Sequence, residues 1–230
     1  MRKLMIGAAA LLFTTGAFAQ NTISGSSARF GLKAGVNLSS YSGTGARNLD
    51  YKNNVGYNVT AFGDFAVGNN FFIQPGVSLQ NKGTKLESSS TAGGTTRTGT
   101  FKQDVMAIEI PINAVLRIPT GGAGAVQINA GPYIGFNISG KNKYSGTYTN
   151  IALEGTAYSD NDVKFGSTKS DDLSSIDFGA NFGLSYRLNS GFLIGANYGL
   201  GLADLVPKDA RSNGDKLRNR VIGLSVGYSL

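Results

Sequence analysis

From Phe30 to Leu230, eight segments of the chain carry an apolar residue at every second position, and the seven charges inside those segments all fall on the other parity. In the segment 29–38, Phe30, Leu32, Ala34, Val36 and Leu38 form one face, while Gly31, Lys33, Gly35 and Asn37 form the other. Successive side chains of a β-strand point to opposite faces, so one face of such a strand can meet lipid and the other cannot. A Lys or Arg on the lipid face costs roughly 2–4 kcal/mol at the bilayer midplane, and none of the seven charges falls on that parity. The pattern predicts an all-β fold: an eight-stranded antiparallel up-and-down transmembrane β-barrel.

The expected strands run over 29–38, 55–67, 71–82, 105–118, 125–138, 175–188, 192–202 and 221–230. Most are 10 to 14 residues long, enough for a tilted strand to cross a bilayer. Gly68-Asn69-Asn70, the stretch 119–124 and Asn189-Ser190-Gly191 read as tight turns. Residues 39–54, 83–104, 139–174 and 203–220 read instead as long loops rich in Gly, Ser, Thr, Asn and charge. Short periplasmic turns alternating with long extracellular loops are the outer-membrane arrangement.

The N-terminus fits the same destination. Arg2 and Lys3, an apolar run from Leu4 to Phe13 and the small-residue site Ala17-Phe18-Ala19 read as a secretory signal over 1–19. Residues 20–28 are expected to form a short periplasmic segment and 29–230 the barrel. No later stretch approaches the roughly 18 apolar residues a transmembrane helix needs. The absence of cysteine excludes a lipid anchor on Cys and a disulfide framework. Without Arg2 and Lys3, 19 Lys+Arg face 14 Asp+Glu, a surplus too small and too interleaved with acids for a nucleic-acid footprint. The 33 glycines suit a narrow barrel interior that needs small side chains.

A soluble eight-stranded barrel of the lipocalin type is the nearest competitor, but its apolar face would be the inner one. The second face of these segments is dominated by Gly, Asn, Ser and Gln with charges of both signs, which reads as a filled polar interior rather than a solvated exterior. Aromatic residues on the apolar parity cluster near both ends of the strands. Phe30, Phe65, Phe71, Tyr186, Phe192 and Tyr228 lie toward the short turns, and Tyr57, Phe136 and Phe178 toward the long loops, as interfacial girdles require. Pro75, Pro111 and Pro132 fall inside expected strands, where a closed barrel has no free edge for a missing N–H; bulges are the expected remedy.

The runs Ile108-Glu109-Ile110-Pro111-Ile112 and Ala130-Gly131-Pro132-Tyr133-Ile134-Gly135, then Asp177-Phe178-Gly179 with Gly183, and finally Tyr198-Gly199-Leu200-Gly201-Leu202 resemble the small outer-membrane β-barrel family of Gram-negative bacteria, usually labelled porin family or outer-membrane β-barrel domain. The resemblance covers the mature chain. It implies an integral outer-membrane location, contact with outer-membrane lipid and lipopolysaccharide, and a final strand read by the assembly machinery. The last property maps onto Val226, Tyr228 and Leu230. Members end on an aromatic residue, and here Leu230 keeps the apolar parity without the ring.

The inward charges are Lys33, Asp64, Lys82, Glu109, Arg117, Asp177 and Arg187. Counted from the short turns, Lys33, Asp64, Arg117 and Arg187 belong to the periplasmic end, and Lys82, Glu109 and Asp177 to the outer half. Buried charges must be paired to be tolerated, and an eight-stranded barrel has room only for its own side chains. A structural charge network plugging the lumen is therefore expected rather than an ion path. No histidine is present, which removes the usual base at neutral pH, and no catalytic, metal or cofactor site is expected. Asp160, Asp162, Asp171 and Asp172 supply oxygen ligands but lack the Gly and terminal Glu of an EF-hand loop. Basic loop residues, among them Arg47, Lys85, Arg97, Lys141, Lys143 and Lys208, could meet lipopolysaccharide phosphates.

The leading function is a structural or surface-interaction role. A narrow porin-like pore comes second and a histidine-free enzyme third. With strand eight reaching Leu230, no peptidoglycan-binding domain is expected, and the loops carry no ligand motif. The membrane reading makes a direct prediction: the folded protein should migrate faster on SDS gels unheated than boiled, because a closed hydrogen-bonded barrel resists SDS. Equal mobility, together with solubility in detergent-free buffer, would count against it.

Overall fold

The computed structural model describes residues 28–149, 154–212 and 214–230. The signal segment 1–19 and residues 20–27 of the segment after it lie outside the described residues. The strands are β1 (Arg29–Thr44), β2 (Lys52–Ala66), β3 (Phe71–Ala92), β4 (Thr95–Pro119), β5 (Gly124–Thr149), β6 (Glu154–Asp162), β7 (Ile176–Leu188), β8 (Phe192–Gly201) and β9 (Lys216–Ser229). All pair antiparallel. β1 to β5 follow one another around the wall, β7, β8 and β9 continue it, and the β1–β9 pairing closes a ring of eight. β6 pairs with β5 and stands outside the ring.

Parity does what the alternation requires. Leu32, Val36, Val59, Ile110, Leu184, Ile194 and Leu224 face out and are exposed, while Asn37, Asn58, Ser78, Gln127 and Asp177 face in and are buried. Each ring strand is laddered to a neighbour on both sides, as hydrocarbon demands of backbone that spans it. Both expected girdles face outward, with every residue exposed except the partly buried Tyr186. At the short-turn end, Phe30 meets Phe65 edge-on at 6.2 Å and Phe192 meets Tyr228 at 5.3 Å.

Two expected loops are corrected. Residues 83–104 form a hairpin that prolongs β3 and β4, turning at Gly93-Gly94, whose φ values of +57° and +74° suit the two central positions of a type I′ turn. Much of 139–174 is likewise the top of β5 hydrogen-bonded to β6. The result is a four-stranded arm standing above the barrel. Its strands carry no signature in the sequence because, outside the bilayer, both faces are polar and the alternation disappears.

The proline expectation is also corrected. The β2–β3, β3–β4 and β4–β5 ladders each omit a few pairs beside Pro75, Pro111 or Pro132, but the register is the same on both sides of each gap. Pro132 even keeps its place opposite Ala180. The register shifts occur instead at Asn53–Asn58 and at Met106–Ala107, toward the extracellular side. Skipped pairs, rather than bulges, accommodate the missing N–H groups.

Inside the barrel, large side chains alternate with glycine across strands. Asn197 stands opposite Gly183 and Gly223, Asn181 opposite Gly131 and Gly199, Asn37 opposite Gly56 and Gly223, and Tyr133 opposite Gly179. A Cβ at Gly183 would lie 2.4 Å from Asn129 Oδ1, the far end of a side chain, whereas one at Gly35 would lie 2.0 Å from the Leu224 carbonyl oxygen and 2.8 Å from Ser225 Cα. The first obstacle can swing aside and the second is ladder backbone. Gly35→Ala should therefore destabilise the barrel by about 1–3 kcal/mol, the usual range for overpacking, and Gly183→Ala by less. Urea unfolding of the two variants in detergent tests this, and an equal or reversed order would contradict it.

Candidate functional site: the charged lumen and its cap

Register brings the inward charges into two clusters at different heights. In the outer half, Lys82 on β3 reaches two carboxylates. Its Nζ lies 2.6 Å from Glu109 Oε1 on β4 and 3.0 Å from Asp177 Oδ2 on β7. Lys82 is 2% exposed and Asp177 fully buried. Asp177 Oδ2 also accepts from Asn219 Nδ2 at 2.7 Å and from the Tyr133 hydroxyl at 3.2 Å, and Lys82 lies over the Tyr133 ring at 5.6 Å. One cation thus serves two carboxylates, and two neutral donors help hold the surplus negative charge. Gly135 makes the arrangement possible: it sits opposite both Glu109 and Asp177, leaving them the space its side chain would fill.

In the periplasmic half the ratio is inverted. Asp64 Oδ2 accepts from Arg117 Nη2 at 2.7 Å, and Arg187 Nη1 stands 3.7 Å from the same oxygen. Gln74 Nε2 donates to Asp64 Oδ1 at 2.7 Å. Gln127, with its amide oxygen turned toward Arg117, accepts from Arg117 Nε at 2.7 Å and Nη2 at 2.8 Å, and Phe72 presents its ring face 3.9 Å from the guanidinium. Lys33 is the charge that the fold does not bring to a carboxylate: among the described residues it makes no ion pair, and its ammonium lies 5.6 Å from the Phe62 ring centre. It borders a cavity of about 40 Å³ between Phe62, Gln74, Val115 and Gln127, large enough to hold water.

Between the clusters run neutral amides. Asn37 Nδ2 donates to Gln80 Oε1 at 2.8 Å, and Asn58 Nδ2 donates to Asn37 Oδ1 at 2.7 Å. Such a network satisfies groups that would otherwise each cost about 1–3 kcal/mol.

Above the outer cluster lies a feature absent from the sequence reading. Tyr41, Val105 and Leu217 point inward from β1, β4 and β9 at the mouth and pack against Val163, Leu173, Leu205 and Val206. Hydrogen bonds stitch the two covering segments together and to the wall: Ser174 N to Leu205 O at 2.8 Å, Leu205 N to Leu217 O at 2.7 Å, and Asp209 N to Ser167 O at 2.9 Å. The mouth is thereby covered by an apolar cap. Its signal in the sequence is the break in inward polarity at Tyr41, Val105 and Leu217, three scattered residues that mean nothing until the register aligns them.

The remaining candidates disperse. Asp162 pairs with Lys141 at 3.1 Å and Asp160 sits opposite Lys143, while Asp171 and Asp172 bind the backbone of Thr168 and Lys164; among the described residues no group of three or more candidate ligands could hold a metal. Some of the basic loop residues are paired as well: Lys85 with Glu87, and Lys102 and Lys143 with Asp104 at 3.3 and 3.0 Å. Burial pushes the Asp104 carboxyl up, but hydrogen bonds from Asn54 and Lys143 and the nearby charges of Lys102 and Lys143 outweigh it and hold the group below its usual range. Its contribution to the arm is therefore present at neutral pH and is lost as pH falls through that lowered value. Val226, Tyr228 and Leu230 all face outward, and Leu230 N donates to Phe30 O at 2.9 Å across the β9–β1 seam.

Comparison with curated proteins gives no match. Among solved structures, the chain is similar to Ail, the attachment invasion locus protein of Yersinia pestis, crystallised with the heparin analogue sucrose octasulfate, at 15% identity over 88% of this chain and 99% of that one, TM-score 0.38. It is similar to Neisserial surface protein A at 14% identity over 87% and 96% of the two chains, TM-score 0.39. A major outer membrane protein from Thermus thermophilus matches at 14% identity over 89% and 100%, TM-score 0.32. A family model described as outer membrane protein beta-barrel domain matches residues 18–206, most of the chain and seven of the eight ring strands. The chain belongs to the outer membrane protein β-barrel domain family, a family of the bacterial outer membrane.

Proposed function

We propose that this is a closed, non-conducting barrel whose role is structural and surface-interactive, with the extracellular arm as the part that meets partners. The observation that carries the reading is the buried Lys82–Glu109–Asp177 cluster lying directly beneath the apolar cap. A conducting pore needs charges that water can screen, and these are removed from water and tied to one another. The arm supports the second half of the reading: it lifts polar strands clear of the bilayer and presents Tyr158 at 80% exposure, with the aromatic pair Phe101 and Tyr144 at 4.9 Å on its other face. Ser, Thr and Asn supply adaptable hydrogen bonds beside these rings, a composition suited to recognition.

In the same reading, residues 1–19 direct export and are removed. The assembly machinery reads the outward row Val226, Tyr228 and Leu230, and exposed cations of the rim meet lipopolysaccharide. Catalysis has no support: the chain has no histidine, and its buried carboxylates are committed to cations.

Replacing Glu109 or Asp177 by Ala breaks one of the two ion pairs on Lys82 in a dry site and leaves the other, so each should cost less than the roughly 3–5 kcal/mol of a buried charge left with no partner. Both variants should melt at lower temperature in detergent than the parent, and the parent should give no steady conductance in a planar bilayer. Selective conductance in the parent, with an ion preference that changes in Glu109→Ala while melting stays put, would establish the pore reading instead.

A further inference from the structure

Small outward side chains recur around the barrel, at Ala34, Ala114, Ala130, Ala180 and Ala196, and on β2 two of them, Ala61 and Gly63, follow one another along the strand. There Leu32, Ala61 and Val77 share one cross-strand row, and Phe30 and Gly63 lie side by side in the row nearer the short turns. With Ala61 as its floor, and Gly63 beneath the Phe30 and Phe65 rings, the wall sinks into a trough of about 660 Å³. β1 and β9 form one bank of it and β3 and β4 the other. Its lining is overwhelmingly apolar, and the edge-on pair of Phe30 and Phe65 closes over Gly63.

We infer that this trough binds one acyl chain of a glycerophospholipid. The inference rests on the membrane-barrel family and not on the plugged-lumen reading. A depression on the lipid-facing parity cannot hold stable water, since its walls offer almost no hydrogen bonds, and an empty one forfeits dispersion contacts along both banks. Something apolar fills it. A second copy of the barrel presents a convex wall, which meets the banks and leaves the floor uncovered; an acyl chain is narrow, flexible and already present along the whole lipid-facing surface. The leaflet follows from the ends of the trough. Phe65 precedes the short turn after β2, and Tyr228 lies against the short turn after β7, where a Cβ at Gly191 would come within 3.0 Å of its ring. The trough therefore opens at the periplasmic leaflet, built of glycerophospholipids, with Tyr228 as the amphipathic residue at headgroup level.

Ala61→Leu fills the floor with a group lipid tolerates, and Ala34→Leu adds the same bulk on the lipid-facing parity outside the trough. Native mass spectrometry of the refolded protein in detergent with dioleoyl phosphatidylethanolamine reads the bound lipid directly. Heat-shifted mobility of each variant confirms that it has folded. The parent should retain a single lipid under activation that strips the rest, Ala34→Leu should retain it equally, and Ala61→Leu should bind it at least tenfold more weakly. Equal retention in Ala61→Leu, equal loss in both variants, or a dimer mass in place of the lipid adduct would each overturn the assignment.

Discussion

An unpaired backbone amide in hydrocarbon costs several kcal/mol, and the rest of this molecule follows from avoiding that cost. The sheet must close, and here it closes after eight strands, through the β1–β9 seam. Eight strands leave an interior just wide enough for side chains. What lies inside is therefore not a choice between channel and core made at leisure: the lumen has to be filled to packing density with residues that the outward face cannot accept.

The filling obeys a size rule and a charge rule. By size, glycine stands beside many of the large inward residues, so that Asn197, Asn181, Asn37 and Tyr133 each occupy the room a neighbour gives up. By charge, a cluster with one cation and two carboxylates sits in the outer half, and one with two guanidinium groups and one carboxylate sits toward the periplasm. Neither is neutral alone. Each is completed by neutral donors or acceptors: Tyr133 and Asn219 on Asp177, and Gln127 and the Phe72 ring on Arg117. Above them the apolar cap keeps water from the outer cluster, which strengthens every pairing beneath it.

How much of this was legible follows from where contrast exists. Inside the bilayer the two faces of a strand meet opposite media, so strands, turns and parity could be read residue by residue from Phe30 onward. Beyond the bilayer both faces meet water, and the Thr- and Ser-rich hairpin ending at Gly93-Gly94 read as loop because nothing marked one side from the other. The charged residues of the lumen were visible as a set, but not their pairings, which depend on the register of strands far apart in the chain: Lys82 and Asp177 are 95 residues apart. The cap was the least legible element, since Tyr41, Val105 and Leu217 become one surface only after β1, β4 and β9 are brought into one ring.

The most direct test of the account concerns whether Lys82, Glu109 and Asp177 act as one unit. Equilibrium unfolding in detergent can be measured for Lys82→Met, Glu109→Gln and Asp177→Asn singly and for the three combined. If they are a buried, mutually dependent cluster, Lys82→Met strands two carboxylates without a cation and costs several kcal/mol, Glu109→Gln and Asp177→Asn each leave Lys82 one carboxylate and cost less, and the combined variant, with no charge left to strand, lies within about 1 kcal/mol of the parent or above it. If instead the lumen is wet and the three groups are independent, the single effects will be small and the combined effect will equal their sum, and the plugged interior described here will be wrong.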